Sequence, residues 1–436
     1  MKRFIVASLM VLMAFPVWAE VKIKEVTSPS GIAAWLVEEP SIPFVALEIR
    51  FSGGASLDAP GKRGAINLMT ALLNEGAGDL DAREFARAAE ALAASFSYDV
   101  NDDSLGISAR FLTENRDEAV ALLRSTIKQP RFDADAIERV RAQVIANIQS
   151  DAKDPNDLAG KAFAALAYGV HPYGSTLSGT EDSVAGLTRD DLLTAHKAVF
   201  ARDRLYVSAV GDITADELGA LVDALLGDLP ATGAPMPQPI DVSISGGVTV
   251  VEFETPQSVA LFGHKGIKRD DDDFFVAYVM NQILGGGSFE SRLMTEVREK
   301  RGLTYGVYSY LVPKDYAATY MGSVASANDR IAQSIEVIRG EWARMASEGA
   351  TEQEVADAKT YLTGAYPLRF DGNGPIANIM AAMQMQGLPI DYIATRNDQI
   401  EAVTVDDVKR VASELLSPEN LRFVVVGKPE GVTATD

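Results

Sequence analysis

Two stretches of this chain, 216 residues apart, carry nearly the same pattern, so whatever one half builds the other must build as well. Residues 187–212 read LTRDDLLTAHKAVFARDRLYVSAVGD and residues 403–428 read VTVDDVKRVASELLSPENLRFVVVGK; Thr188, Asp190, Asp191, Leu205, Val210 and Gly211 recur identically in the second copy. Each copy reads as a helix opened by a Thr N-cap with acidic residues in its first turn, followed by an apolar strand that stops at glycine. Weaker echoes join Val45-Ala46-Leu47 to Val259-Ala260-Leu261, and the helix at Ala65–Leu73 to the one at Ala277–Leu284. The expected class is α+β, present twice.

The boundary falls at Leu229–Gly247, LPATGAPMPQPIDVSISGG, where four prolines and few large apolar residues predict an extended linker. The organisation expected is a signal peptide over 1–19, an N-terminal domain over 20–228, a linker over 229–247 and a C-terminal domain over 248–436. The leader rests on Lys2 and Arg3, an apolar run from Phe4 to Phe15, and small residues at Val17 and Ala19. That run falls short of the ~20 residues a membrane span needs, so the expected location is the periplasm or the exterior after secretion, with cleavage near Ala19 and no membrane anchor. The net charge is −21, and the leader holds two basic and no acidic residues, so its removal leaves −23, which makes nucleic acid an unsuitable partner. With zero cysteines there is no disulfide, no thiolate ligand and no thiol nucleophile.

The segment Gly285–Tyr310, GGGSFESRLMTEVREKRGLTYGVYSY, sets Arg298 and Tyr305 seven residues apart across a helix-to-strand turn. Ordinary capping rules predict a helix from about Phe289 to Lys300, a stop at Gly302 and a strand from near Thr304. The glycine run lacks the Gly-Lys-Ser/Thr of a phosphate loop. The residues alone also fit a solvated helix end with Arg298, Lys300 and Arg301 near its C-terminal dipole.

This segment resembles the C-terminal-domain signature of the pitrilysin/insulinase family of inverted-zincin metallopeptidases, which includes the mitochondrial processing peptidase and two-chain bacterial enzymes. The likeness extends over the duplicated halves, the His171-Pro-Tyr-Gly174 loop and the strand-Gly endings at Gly211 and Gly427. It implies two homologous α/β-sandwich domains closing as a clam shell. It also implies that Arg298 and Tyr305 bind substrate backbone and stabilise the developing oxyanion. The family's zinc motif, H-x-x-E-H with a later glutamate, aligns with Gly64–Gly78 and Val144–Pro155. Asn67 and Ala71 then stand at the two histidines, Thr70 at the general base, and Ala146 and Asn147 at the later carboxylate. Without a Lewis acid and a metal-bound water, the family's hydrolytic chemistry has no nucleophile here.

The resemblance therefore implies a metal-free subunit of a heteromeric periplasmic zinc peptidase, with no cofactor in this chain and zinc in a homologous partner subunit. Unfolded peptides are the expected substrates. The alternative is a non-enzymatic scaffold or peptide-binding protein of the same fold. His171, His196 and His264 show no i, i+4 pairing and are expected to be loop or surface residues, His264 just beyond a strand. Asp270–Asp273 reads as a solvated acidic turn, and Met380, Met383 and Met385 as a core stripe.

Overall fold

The structure, a computed structural model, describes residues 22–287 and 290–435; the expected signal peptide lies outside the described residues. The first half runs β1 (Lys24–Thr27), β2 (Ala33–Glu38), β3 (Phe44–Ser52), α1 (Ala65–Ala71), the short β4 (Gly76–Ala77) and β5 (Leu80–Asp81), α2 (Ala82–Ala91), β6 (Ser95–Val100) and β7 (Ser104–Leu112). It continues through α3 (Arg116–Lys128), α4 (Ala134–Asp151), α5 (Pro155–Tyr168), α6 (Glu181–Ala185), α7 (Arg189–Val199), β8 (Leu205–Gly211) and α8 (Ala215–Leu226). The second half runs β9 (Gly247–Glu252), β10 (Gln257–Lys265), α9 (Phe274–Leu284), β11 (Thr304–Pro313) and β12 (Ala318–Ala327). It closes with α10 (Ile331–Glu348), α11 (Glu352–Ala365), α12 (Asn373–Met385), α13 (Tyr392–Glu401), α14 (Val405–Leu415) and β13 (Arg422–Gly427).

The first sheet has the order β1-β2-β8-β3-β7-β6, and the second, written from its far edge, β9-β13-β10-β12-β11. Apart from the extra β1 these are one topology. β2/β8 and β9/β13 are the parallel pairs, and the remaining neighbours in both sheets are antiparallel. The two closing units coincide in detail. Thr188 caps α7 and Thr404 caps α14, each with a capping box completed by the Asp three residues on. Each following strand ends on a glycine at positive φ, +142° at Gly211 and +149° at Gly427, where a side chain would strike Phe44 or Ser258.

The strand sequences show why each sheet needs cover on both faces. In β13, RFVVVG, every residue is buried. Phe423 and Val425 face the helices of their own half, among them α9, α10 and α14, whereas Val424 and Val426 face α5, which comes from the other half. The exchange is reciprocal: α12, from the second half, lies on Trp35, Ala46 and Val210 of the first sheet. Asp154 caps α5 by accepting from the Asn156 N–H at 2.7 Å, and Pro155 occupies its first turn. On the other side, the Ser208 hydroxyl donates to the Ala377 carbonyl at 2.6 Å and the Gln384 amide to the Val207 carbonyl at 2.8 Å.

Met380 and Met383 are buried in this exchange, while Met385 is half-buried at the edge of a cavity between the halves. Residues 229–246 contain no helix or strand, yet Leu229 and Val242 are buried and the Ile240 N–H donates to the Tyr316 carbonyl at 2.9 Å. The connection is thus extended and fixed by its apolar residues. Among the described residues no helix is long and apolar enough to cross a membrane.

Candidate functional site

The glycine run after α9 is a packing device. A Cβ on Gly285 would lie 2.5 Å from the Ser309 hydroxyl, and one on Gly286 would lie 2.5 Å from the Gln282 Cα. Their absence lets β11 come close enough for the Ser309 N–H to reach the Gly285 carbonyl at 2.8 Å and the Ser309 hydroxyl to reach Asn281 at 2.8 Å. Phe289, where the expected helix begins, lies outside the described residues. The turns that follow differ from the expected α-helix: Met294–Glu299 is a π-helix, with the Lys300 N–H bonded to the Thr295 carbonyl at 3.0 Å. The wider turn also stretches the closing bonds, so that the Leu303 N–H reaches back to the Val297 carbonyl across Gly302, whose φ is +61°.

Arg298 is half-buried on this π-turn. Charges around it are fixed locally. Glu296 accepts from Lys300 and Arg301, both at 2.7 Å, and these two cations hold its carboxyl below the usual range. At the start of the segment, buried Arg292 forms a two-pronged pair with Glu354, 2.7 and 2.8 Å. Burial opposes the charge on Glu354, but Arg292 and the Thr351 cap outweigh it and bring the carboxyl down to about 2. That pair ties the π-turn to α11.

Tyr305 stands on β11, the edge strand of the second sheet, and is 88% exposed. An odd spacing would put Tyr305 and Tyr308 on opposite faces of a regular strand. A bulge between Thr304 and Val307 adds one residue against β12, and Tyr305, Tyr308 and Tyr310 all emerge exposed while Val307 and Ser309 are buried. The Thr304 hydroxyl holds the bulge, donating to the Ala325 carbonyl at 2.6 Å and accepting from the Gly306 N–H at 3.0 Å. Nothing in the sequence signals the bulge except the odd tyrosine spacing around Gly306. Chemically, a phenol held out at a strand edge can donate a hydrogen bond to an extended backbone.

The positions aligned with a zinc motif lie on α1 and α4. Asn67 is half-buried, Ala71 is exposed and offers no donor atom, and Thr70 is buried with its hydroxyl donating to the Ile66 carbonyl at 2.8 Å. Ala146 and Asn147 are exposed on α4, and the Asn147 side-chain oxygen accepts from Gln143 at 2.9 Å. These residues do not fit a zinc ion, which takes imidazole, thiolate or carboxylate ligands. Among the described residues no group of three or more His, Cys, Asp or Glu side chains could hold a metal. The purified chain is therefore expected to hold no stoichiometric zinc and to cleave no peptide. The variant Asn67→His/Thr70→Glu/Ala71→His should remain nearly inactive, because the later carboxylate is still missing and replacing buried Thr70 puts a charge where water is excluded. Metal analysis and a peptide-cleavage assay check both, and vigorous cleavage by the triple variant alone would refute the expectation.

The histidines are dispersed. His264 lies within β10, not beyond it, and is core: Trp342 Nε1–H donates to its Nε2 at 2.9 Å. His196 is on α7, stacked on Phe200, and burial brings it down to about 4. His171 is half-buried in the loop after α5, its Nδ1 accepting from the Tyr173 N–H at 3.2 Å. Asp270–Asp272 are exposed in a turn, and Asp273 pairs with Arg410.

No sequence pattern announces the polar seam between the halves. Tyr173 donates to Asp103, Lys314 pairs with Asp102, and Arg63 also reaches Asp102 at 3.0 Å. A cavity of about 900 Å³ opens beside this seam. Burial, and then the neighbouring Asp103, push the Asp315 carboxyl in its wall up to about 6.

Two mixed sheets of one topology, an Arg-turn-Tyr segment on the second and, among the described residues, no cluster of metal-ligating side chains define a metallopeptidase-like fold. Comparison with known proteins agrees. Residues 34–181 match the family model described as Insulinase (Peptidase family M16), and residues 186–362 match the one described as Peptidase M16 inactive domain. The chain belongs to the M16 family as an inactive member. It is 28% identical over 393 residues to a Helicobacter pylori protein described as non-peptidase homolog YmxG, covering 89% of this chain and 90% of that one. An uncharacterized zinc protease of Mycobacterium leprae is 27% identical over 396 residues, covering 90% and 88%. The crystal structure of a peptidase M16 inactive domain from Pseudomonas fluorescens superposes with a TM-score of 0.87 at 29% identity, over 95% of this chain and 100% of that one. A protease from Helicobacter pylori shares the fold, with a TM-score of 0.83 at 17% identity, over 93% and 99%.

Proposed function

We propose that this chain is the metal-free subunit of a two-chain zinc peptidase of the periplasm. In this reading Arg298 and Tyr305 grip the backbone of an unfolded peptide and donate to the oxyanion that forms in a homologous partner's zinc site. The observation that carries it is Tyr305: a bulge holds a large phenol out at the edge of a sheet, on a chain whose own metal positions have no ligands. A hydrogen-bond donor need only be positioned, so it serves as well from a neighbouring chain. The edge of β11 also suits an extended substrate, since an open strand edge recognises peptide backbone.

Mixed with a zinc-bearing family member encoded beside it, the chain is expected to form a complex burying well over ~1,000 Å² and to raise peptide cleavage far above that of either subunit. Size-exclusion chromatography and a cleavage assay check this together. Separate species with no gain in cleavage would favour the second reading, a scaffold or peptide-binding protein without catalytic duty. The description of the Helicobacter pylori relative as a non-peptidase homolog supports that second reading.

A further inference from the structure

The chain carries a net charge of −21, yet three guanidinium groups converge on one pocket with no carboxylate in its wall. The pocket, about 260 Å³, lies in the second half between the start of α9, the turn after α11, and helices α12 and α13. Arg269 stacks on the Phe274 ring, 4.4 Å from its centre, and donates to the Tyr392 hydroxyl at 2.9 Å. Arg396 lies 4.3 Å over the centre of the Tyr366 ring and donates to the Leu362 carbonyl and to Asn397, both at 2.9 Å. Arg369 is exposed at the rim.

Among the described residues none of the three makes a salt bridge, although other arginines of the chain, Arg50, Arg63, Arg292 and Arg410 among them, do. Stacking occupies the flat faces of Arg269 and Arg396, and the N–H groups not already given to Tyr392, Leu362 and Asn397 remain for an acceptor. A second observation points the same way. Tyr366, 8% exposed, lines the pocket with a hydroxyl that has no hydrogen-bond partner, and the fields of Arg396, Arg369 and Arg269 all bear on it. Three cations held together without counter-charge repel one another, and a bound anion would relieve that cost.

We propose that this pocket binds a small organic anion through its carboxylate, with Arg269, Arg369 and Arg396 as donors and the apolar body of the ligand against Ile379, Met383 and Leu388. The site belongs to this chain alone and needs no partner subunit. A free carboxylic acid and the C-terminus of a peptide present the same chemistry, so the test uses both. The probes are benzoate, N-acetyl-alanyl-phenylalanine with a free carboxylate, and the same dipeptide as its amide, each titrated calorimetrically into the purified chain. The two carboxylates should bind in the millimolar range or tighter, and the amide should not. Binding of the dipeptide acid without benzoate identifies a peptide C-terminus as the ligand.

Arg369→Gln and Arg269→Gln should each weaken binding about tenfold or more, the value of one charge-assisted hydrogen bond. Arg369 stands exposed at the rim, outside the packed core, so its variant keeps the test valid if Arg269→Gln is unstable, and thermal melting verifies the fold of both. Three results would overturn the site: no heat from either carboxylate, equal binding of acid and amide, or native affinity in folded Arg369→Gln. The cations would then be aromatic-stacked structure only.

Discussion

In an assembled complex with a zinc-bearing partner, Tyr305→Phe should lower kcat by on the order of 10²–10³ and change KM much less. The substitution removes one hydroxyl and nothing else. Tyr305 is 88% exposed and its strand position is set by Thr304 and the bulge, so neither the fold nor the bulge depends on the phenol. Arg298→Ala should raise KM as well as lower kcat, because a backbone clamp holds ground state and transition state alike. Steady-state kinetics on complexes shown intact by sizing give the answer. Unchanged kcat in both variants would reduce the pair to a helix end and a surface tyrosine, and the proposed complementation would fail with it.

Phe163→Ala should destabilise the chain by about 3–5 kcal/mol. Phe163 is on α5 of the first half but packs in the second sheet, 1% exposed, against the gap left by Gly263. A Cβ at Gly263 would lie 3.0 Å from the Phe163 ring. Because α5 and α12 are exchanged, the lost contacts lie between the halves, and the variant should also unfold in two steps where the native chain unfolds in one. Denaturant melts followed by calorimetry measure both effects. A loss below about 1 kcal/mol with a single unchanged transition would mean the exchange contributes little to holding the halves together.

Neighbouring features differ sharply in how far the sequence reveals them. The closing units at Thr188–Gly211 and Thr404–Gly427 are legible because caps, first-turn acids and strand-ending glycines act within a few residues of one another. The positions of Arg298 and Tyr305 are legible through family resemblance. Their setting is not. A π-turn replaces the expected α-helix around Arg298, and the bulge that exposes Tyr305 depends on pairing with Ala325 and Ser326 of another strand. The local pattern puts His264 just beyond a strand, whereas the structure keeps it inside one, bonded to Trp342, 78 residues away.

By itself the sequence determined that there are two copies of one α+β unit, and where each copy begins its last helix and ends its last strand. These are properties of contiguous residues or of the repeat. Tertiary structure alone decided that α5 and α12 change places, that β11 is an edge, and that Arg269, Arg369 and Arg396 meet around Tyr366. An apolar helix face states that it must be buried but not against which sheet, and a charged side chain states its charge but not its neighbours; both are settled only when residues far apart in the chain come into contact.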